Sequence, residues 1–222
     1  MKLIKPMLCG LLLAALASCS KDKSPGGKLA ALTEFSIEGT ASSAYFTTPN
    51  NATPAIENDQ AKAFISLSDK RSYTRAQALA DQSKMDIVLG TSYYQQPGTP
   101  GAQPNGSVGL EISSTADGSG WQAQSGGREM ADFTHRKLFY MAKIFNTKYV
   151  DVKTSGDLDK AFEELEDEDF DQRNALIDRY GIEVLTNTLV FKTQEGKKGI
   201  MRLDHYNPNK PFIYGITFKM EK

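Results

Sequence analysis

Cysteine is nearly missing from this chain. Its 222 residues contain two, Cys9 and Cys19, and none follows. Beyond residue 19 there is no disulfide, no thiolate nucleophile and no cysteine-ligated metal. The fold there must rest on its apolar core, which a chain of this length can supply. Histidine is as scarce, with only His135 and His205, and no His-Glu-x-x-His or close histidine pair suits zinc. No serine sits in a Gly-x-Ser-x-Gly elbow, so Ser113, Ser114 or Ser125 would join a histidine only through tertiary geometry. Neither charge sign is in excess: 26 Lys and Arg face 27 Asp and Glu, a formal net charge of −1. Without a basic stripe to neutralise phosphates, nucleic acid is excluded as a partner. An apolar run of the roughly 20 residues that a spanning helix needs is also lacking.

What is present is most legible at the start. Lys2 and Lys5 precede the apolar stretch Met7 to Ala17, and Leu16-Ala17-Ser18-Cys19 closes it. A charged leader, a short apolar segment and small residues before a cut describe a secretory signal peptide over 1–18. Leu16 to Cys19 resembles the bacterial lipobox, in which the cysteine is lipidated and becomes the first mature residue. The resemblance implies lipidation of Cys19. One acyl chain anchors only marginally and stable anchoring needs at least two; lipoproteins of this type carry three. Residues 19–30, rich in Lys, Ser, Pro and Gly, read as a flexible tether. Ser20, not Asp, follows the cysteine, which in such lipoproteins favours the outer membrane; whether the periplasmic or the surface face is exposed stays open.

The remainder, 31–222, reads as a single mainly β (α+β) domain of antiparallel strands with two or three short helices. Strand candidates are Phe35 to Gly39, Ala61 to Ser68, Lys84 to Tyr94, Val108 to Ser114 and Lys137 to Phe145. At the C-terminus, Thr188 to Tyr206 reads as strand, turn at Gln194 to Lys198, strand. Residues Gly215 to Lys222 alternate Ile216, Phe218 and Met220 against Thr217, Lys219 and Glu221, the pattern of a half-buried strand. Arg71 to Gln82 reads as a short helix capped by Thr74. A longer helical stretch is expected from Thr154 or Ser155 to Gly181, broken near Asp169 to Asp171 and resumed by Ala175, Leu176 and Tyr180.

Few side chains point to chemistry. Asp167, Asp169, Asp171 and Asp178 mimic the spacing of a calcium loop, but Gln172 stands where the sharp turn needs glycine, and the run reads first as solvated acids. Trp121 lies in a Gly/Ser/Gln-rich loop, and Tyr93 and Tyr94 precede a Pro/Gly-rich one. Aromatics on loops stack on sugars, peptides or flat cofactors, or fold back on the domain edge. The candidate ligand-binding residues are therefore Trp121, Tyr93, Tyr94, His135, Met130 and Met141. No catalytic residue and no metal site is expected.

Two blocks carry a wider likeness. Ala63 to Gly90, with Met85-Asp86-Ile87 at a strand start, and Leu189 to Lys222, a closing meander of three strands, resemble the HmuY-type haem-binding lipoproteins of Gram-negative bacteria. The likeness covers about a third of the chain. It implies a β-rich fold and capture of something at the cell envelope. That family's axial His or Met ligands fall between the two blocks, where this chain has Met130, His135 and Met141, but no local pattern carries ligation over. No cofactor follows from the residues themselves, and haem enters only through the resemblance. The expectation is thus a membrane-anchored, non-enzymatic binding lipoprotein whose partner is a small molecule or a protein. The alternatives are a hydrolase of extracellular polymer and a structural or assembly role.

Overall fold

A computed structural model describes residues 29–41, 60–93, 108–116, 132–177, 188–207 and 212–222. The architecture is mainly β, two antiparallel five-stranded sheets face to face. The first sheet holds β1 (Thr33–Thr40), β6 (Phe139–Lys143), β8 (Thr188–Thr193), β9 (Lys198–Tyr206) and β10 (Ile213–Met220), in the order β1-β10-β9-β8-β6. The second holds β2 (Phe64–Ser66), β3 (Arg71–Tyr73), β4 (Ile87–Tyr93), β5 (Val108–Ser114) and β7 (Arg173–Ile177), in the order β3-β2-β4-β5-β7. Between them lie Ile37, Ile65, Ile87, Leu89, Leu110, Ile112, Phe139, Met141, Phe191, Met201 and Phe218, all buried. Phe191 stacks on Phe139 at 5.0 Å and meets Phe218 edge-on at 6.1 Å.

The outer faces are covered too. Helix α1 (Arg75–Ala80) and Phe133 lie over the second sheet, burying Phe64, Tyr73, Met85 and Val88. Helix α2 (Ser155–Glu163) and the 3-10 turn Tyr149–Asp151 lie over the first, burying Ala142, Val190 and Ile200. Double coverage explains why Phe64-Ile65-Ser66 and Leu189-Val190-Phe191 are buried without alternation. It also corrects the half-buried reading of β10. Thr217 and Lys219, on its polar face, are buried at 7% and 8% exposure. Lys219 Nζ donates to the carbonyls of Tyr149 and Val152, both at 3.0 Å, and sits 4.3 Å from the Tyr149 ring centroid.

Both helix starts follow from their caps. Thr74 and Thr154 each accept from the backbone N–H three residues on, while Gln77 and Asp157 reach back. The expected resumption of helix after Asp171 is overturned: Arg173–Ile177 is the edge strand β7, paired with β5. Asp171 exchanges two backbone hydrogen bonds with Met141, 2.8 and 2.9 Å, which delivers the chain to the free edge of β5. Ladder pairing there outweighs the weak local helix preference of Asn174-Ala175-Leu176. Gly181 and Tyr180 lie outside the described residues. The helix expected within Arg71 to Gln82 starts after its Thr74 cap, and Arg71–Tyr73 ahead of the cap form β3.

The two sheets are stitched at both edges. On one side Met141 of β6 meets Asp171 beside β7. On the other, β1 lies along β3 and the segment before β2: Thr40 N donates to Lys62 O at 3.4 Å, Lys62 N to Thr40 Oγ1 at 2.7 Å, and Ser72 Oγ to Glu38 O at 2.6 Å. Part of the edge backbone that would otherwise template pairing with another chain is thereby engaged. Among the described residues, no helix is long and apolar enough to cross a membrane.

Candidate functional site

Two places combine polar chemistry with a fixed frame. The first is a buried junction where the sheets meet. Asp86, just before β4, is 4% exposed. Its Oδ2 accepts from Leu67 N at 2.8 Å and its Oδ1 from Lys137 Nζ at 3.1 Å. Lys137 Nζ also lies 3.2 Å from Glu195 Oε1. Around it, Thr115 Oγ1 accepts from Lys137 N at 2.9 Å, and Ser114 Oγ donates to Lys137 O at 2.7 Å. Burial pushes the Asp86 carboxyl above its usual range, against the pull of the Leu67 N–H and the Lys137 ammonium. Burial also works against the Lys137 charge, but Asp86 and Glu195 outweigh it and hold the amine above its ordinary value. Every group at this junction is engaged by its neighbours, so it acts as a latch between the sheets.

The second place is open to ligand. Where β1 runs beside β3, a groove of about 310 Å³ is lined by Ser36, Glu38, Lys62, Lys70, Arg71, Ser72 and Gln77. Its floor is the buried Ile37. Three cations face one carboxylate. Lys62 hangs from a doubly fixed carbonyl that accepts from Thr40 N and, at 2.9 Å, from the Tyr214 hydroxyl. Lys70 has φ of 54°, the left-handed residue closing the β2–β3 turn, and its ammonium stands 5.3 Å from the Phe35 ring centroid. Arg71 lies 4.4 Å over the Tyr73 ring. The Tyr73 hydroxyl donates to Asp69, whose carboxylate also meets Lys84 at 3.4 Å. The Tyr73 hydroxyl, with Lys84, holds Asp69 below the usual carboxylate range. Asp69 is thus committed to Tyr73 and Lys84. Among the described residues, no carboxylate forms an ion pair with Lys62, Lys70 or Arg71, while Arg75, Lys84, Lys137, Arg173, Lys192, Lys198 and Arg202 are all paired.

No family model, curated protein or solved structure matches this chain. The site therefore stands on its own geometry.

The residues singled out from sequence are scattered. His135 is exposed; its N–H donates to Gln82 Oε1 at 3.0 Å and its Nδ1 lies 3.2 Å from Thr134 Oγ1. Met141 is fully buried between the sheets, opposite Phe191. The structure does not bring these two together, because one faces solvent and the other fills the core. Tyr93 ends β4, paired with Val108. Cys19, Tyr94, Trp121 and Met130 lie outside the described residues. His205 faces the outer side of β9 and its ring covers Gly215.

Ser113 and Ser114 are buried, and their hydroxyls donate to the carbonyls of Ser114 and Lys137, respectively. Both are engaged by main chain, away from the exposed His135. The acidic run is spread out as well. Asp169 caps the 3-10 turn through Glu166 N, Asp171 accepts from Gln172 N and Arg173 N, and Asp167 faces Lys192. Among the described residues, no three acids or histidines converge as a metal site; Asp178 lies outside them. The groove escaped sequence reading because Ser36 and Glu38 of β1 meet Lys62, Lys70 and Arg71 only through tertiary contact. The one local signal was the Asp69-Lys70-Arg71 turn between two short β segments.

Proposed function

We propose that this chain is a lipid-anchored binding protein of the cell envelope, tethered through Cys19, probing its surroundings with the groove between β1 and β3. The observation that supports the reading is the set of three cations around that groove, of which Lys70 and Arg71 lie against aromatic rings and none forms an ion pair with a carboxylate among the described residues. Cations without counter-charges on a rigid frame bind an incoming ligand with little reorganisation. The likeness to haem-capturing lipoproteins points the same way, toward capture rather than catalysis, although fold likeness alone does not specify a ligand.

The anchor and the domain fit together. The described chain begins at Leu29, ahead of β1, and Ala30 O accepts from Ser155 N at 2.9 Å at the start of α2. The tether thus ends at the edge of the first sheet where β1 begins, while β1 carries the groove. A thermal-shift screen of the soluble domain from residue 20 onward, against saccharides, peptides and haem, tests the binding reading. A saturable rise in Tm is expected, because a ligand that binds only the folded state stabilises it by mass action. Loss of that rise on substitution of groove residues assigns it to this site; a ligand unaffected by those substitutions assigns binding elsewhere.

A further inference from the structure

We infer that the groove between β1 and β3 takes an acidic saccharide, a sugar bearing a carboxylate or sulfate ester. The inference rests on the binding reading above and names its ligand class. Its first ground is the charge balance: Lys62, Lys70 and Arg71 against Glu38. Its second is how the cations are held. The Arg71 guanidinium lies 4.4 Å from the Tyr73 ring centroid, and Lys70 stands over Phe35. The Tyr73 hydroxyl and, more weakly, Asp69 draw on the Arg71 guanidinium, but no carboxylate forms an ion pair with it among the described residues, so part of its set of five N–H donors is left for an oxyanion. A carboxylate partner would have used those donors up.

The third ground is what surrounds the cations. The Ser36 hydroxyl pairs with Thr217 Oγ1 at 2.7 Å and Gln77 Oε1 accepts from Thr74 N at 3.0 Å, which leaves the Gln77 amide N–H groups as donors, while the Glu38 carboxylate supplies acceptors. Ser72 donates its proton to Glu38 O and also interacts with the Tyr214 hydroxyl, which fixes it at the groove wall. Bare sulfate has no hydrogen-bond donor to match Glu38, and both sulfate and phosphate would be repelled by its charge. A sugar offers hydroxyls to Glu38 and Gln77 while its acid group meets the cations. The volume, about 310 Å³, lies at the lower end of the roughly 300–1,000 Å³ of ligand sites, which suits a small saccharide or a few residues of a polymer.

Isothermal titration calorimetry on the soluble domain decides it. The probes are glucuronate and galacturonate oligosaccharides, a sulfated saccharide, the matching neutral oligosaccharides, and inorganic sulfate and phosphate. Saturable binding of an acidic saccharide is expected, with affinity falling as salt is raised from about 0.05 to 0.5 M. Arg71→Ala and Lys62→Ala should each weaken it about tenfold or more, since each removes a charge-assisted contact, with circular dichroism and Tm confirming a folded domain. Glu38→Gln should weaken the saccharide yet tighten inorganic sulfate, a split that a purely structural role would not produce. Absence of saturable acidic-saccharide binding overturns the inference. So does equal binding of the neutral counterparts, or binding unchanged in both cation variants. If haem or a neutral ligand raises Tm while acidic saccharides do nothing, the binding reading stands and this assignment falls.

Discussion

The Asp86 carboxylate and the Lys137 ammonium meet at 3.1 Å where the start of β4 in one sheet approaches the start of β6 in the other. Asp86 also receives Leu67 N–H from the β2–β3 turn, so one buried acid ties three segments together. Removing it leaves a buried N–H and a half-buried ammonium without their acceptor. Asp86→Ala should destabilise the domain by about 2–4 kcal/mol in urea unfolding. A loss below about 0.5 kcal/mol would show that the latch contributes little.

The same acid sets a pH signature. Burial raises its folded value above the ordinary 3.8. A group with a raised folded value binds its proton more tightly in the folded state, so its stabilising contribution is complete below about 3.8 and is lost as pH rises through the folded value. Asp86→Asn cannot titrate. The stability of the wild type relative to Asp86→Asn should therefore fall as pH rises above about 4. A relative stability that climbs over that window would contradict the assignment of a raised value.

Lys219 is charged and buried, with two carbonyls at the end of a 3-10 turn as its acceptors. Lys219→Met keeps the apolar stem but abandons both carbonyls of Tyr149 and Val152. A loss of about 1–3 kcal/mol is expected, with the 149–152 segment becoming the first to exchange its amide hydrogens. Unchanged protection there would show that the lysine does not hold the turn.

Lys70 carries two roles that oppose each other. Its positive φ strains a residue with a Cβ, so Lys70→Gly should stabilise the domain by up to about 1 kcal/mol. The same change removes a groove cation and should weaken acidic ligands. A variant that gains both stability and affinity would break the link between this lysine and the groove. Gly39 is the converse case: a Cβ there would stand 2.5 Å from Lys62 O and collide with Tyr214. Gly39→Ala should prise β1 from the Lys62 segment, lowering Tm and groove affinity together.

Much of the fold was legible because it is written locally. β5 falls where the alternation of Val108 to Ser114 places it, the β8–β9 hairpin turns at Gln194 to Lys197, and Thr74 and Thr154 cap as their spacing predicts. Two errors have a common cause. Arg173–Ile177 became a strand, and the polar face of β10 became buried, because distant segments supplied a free edge and a cover that no local pattern encodes. The groove was illegible for the same reason: Ser36 and Arg71 share it only because β1 runs beside β3. By contrast, the residues on which the proposed anchor rests, Leu16 to Cys19, are contiguous in the sequence.

The proposed binding domain is held at a membrane through Cys19, and metabolic labelling with a palmitate analogue is the direct test of that claim. Full-length chain expressed in a Gram-negative host should take up label and partition with membranes. Cys19→Ala should lose both while its β-rich domain still folds, as read by circular dichroism. Label retained in Cys19→Ala, or no label in the wild type, would contradict the claim.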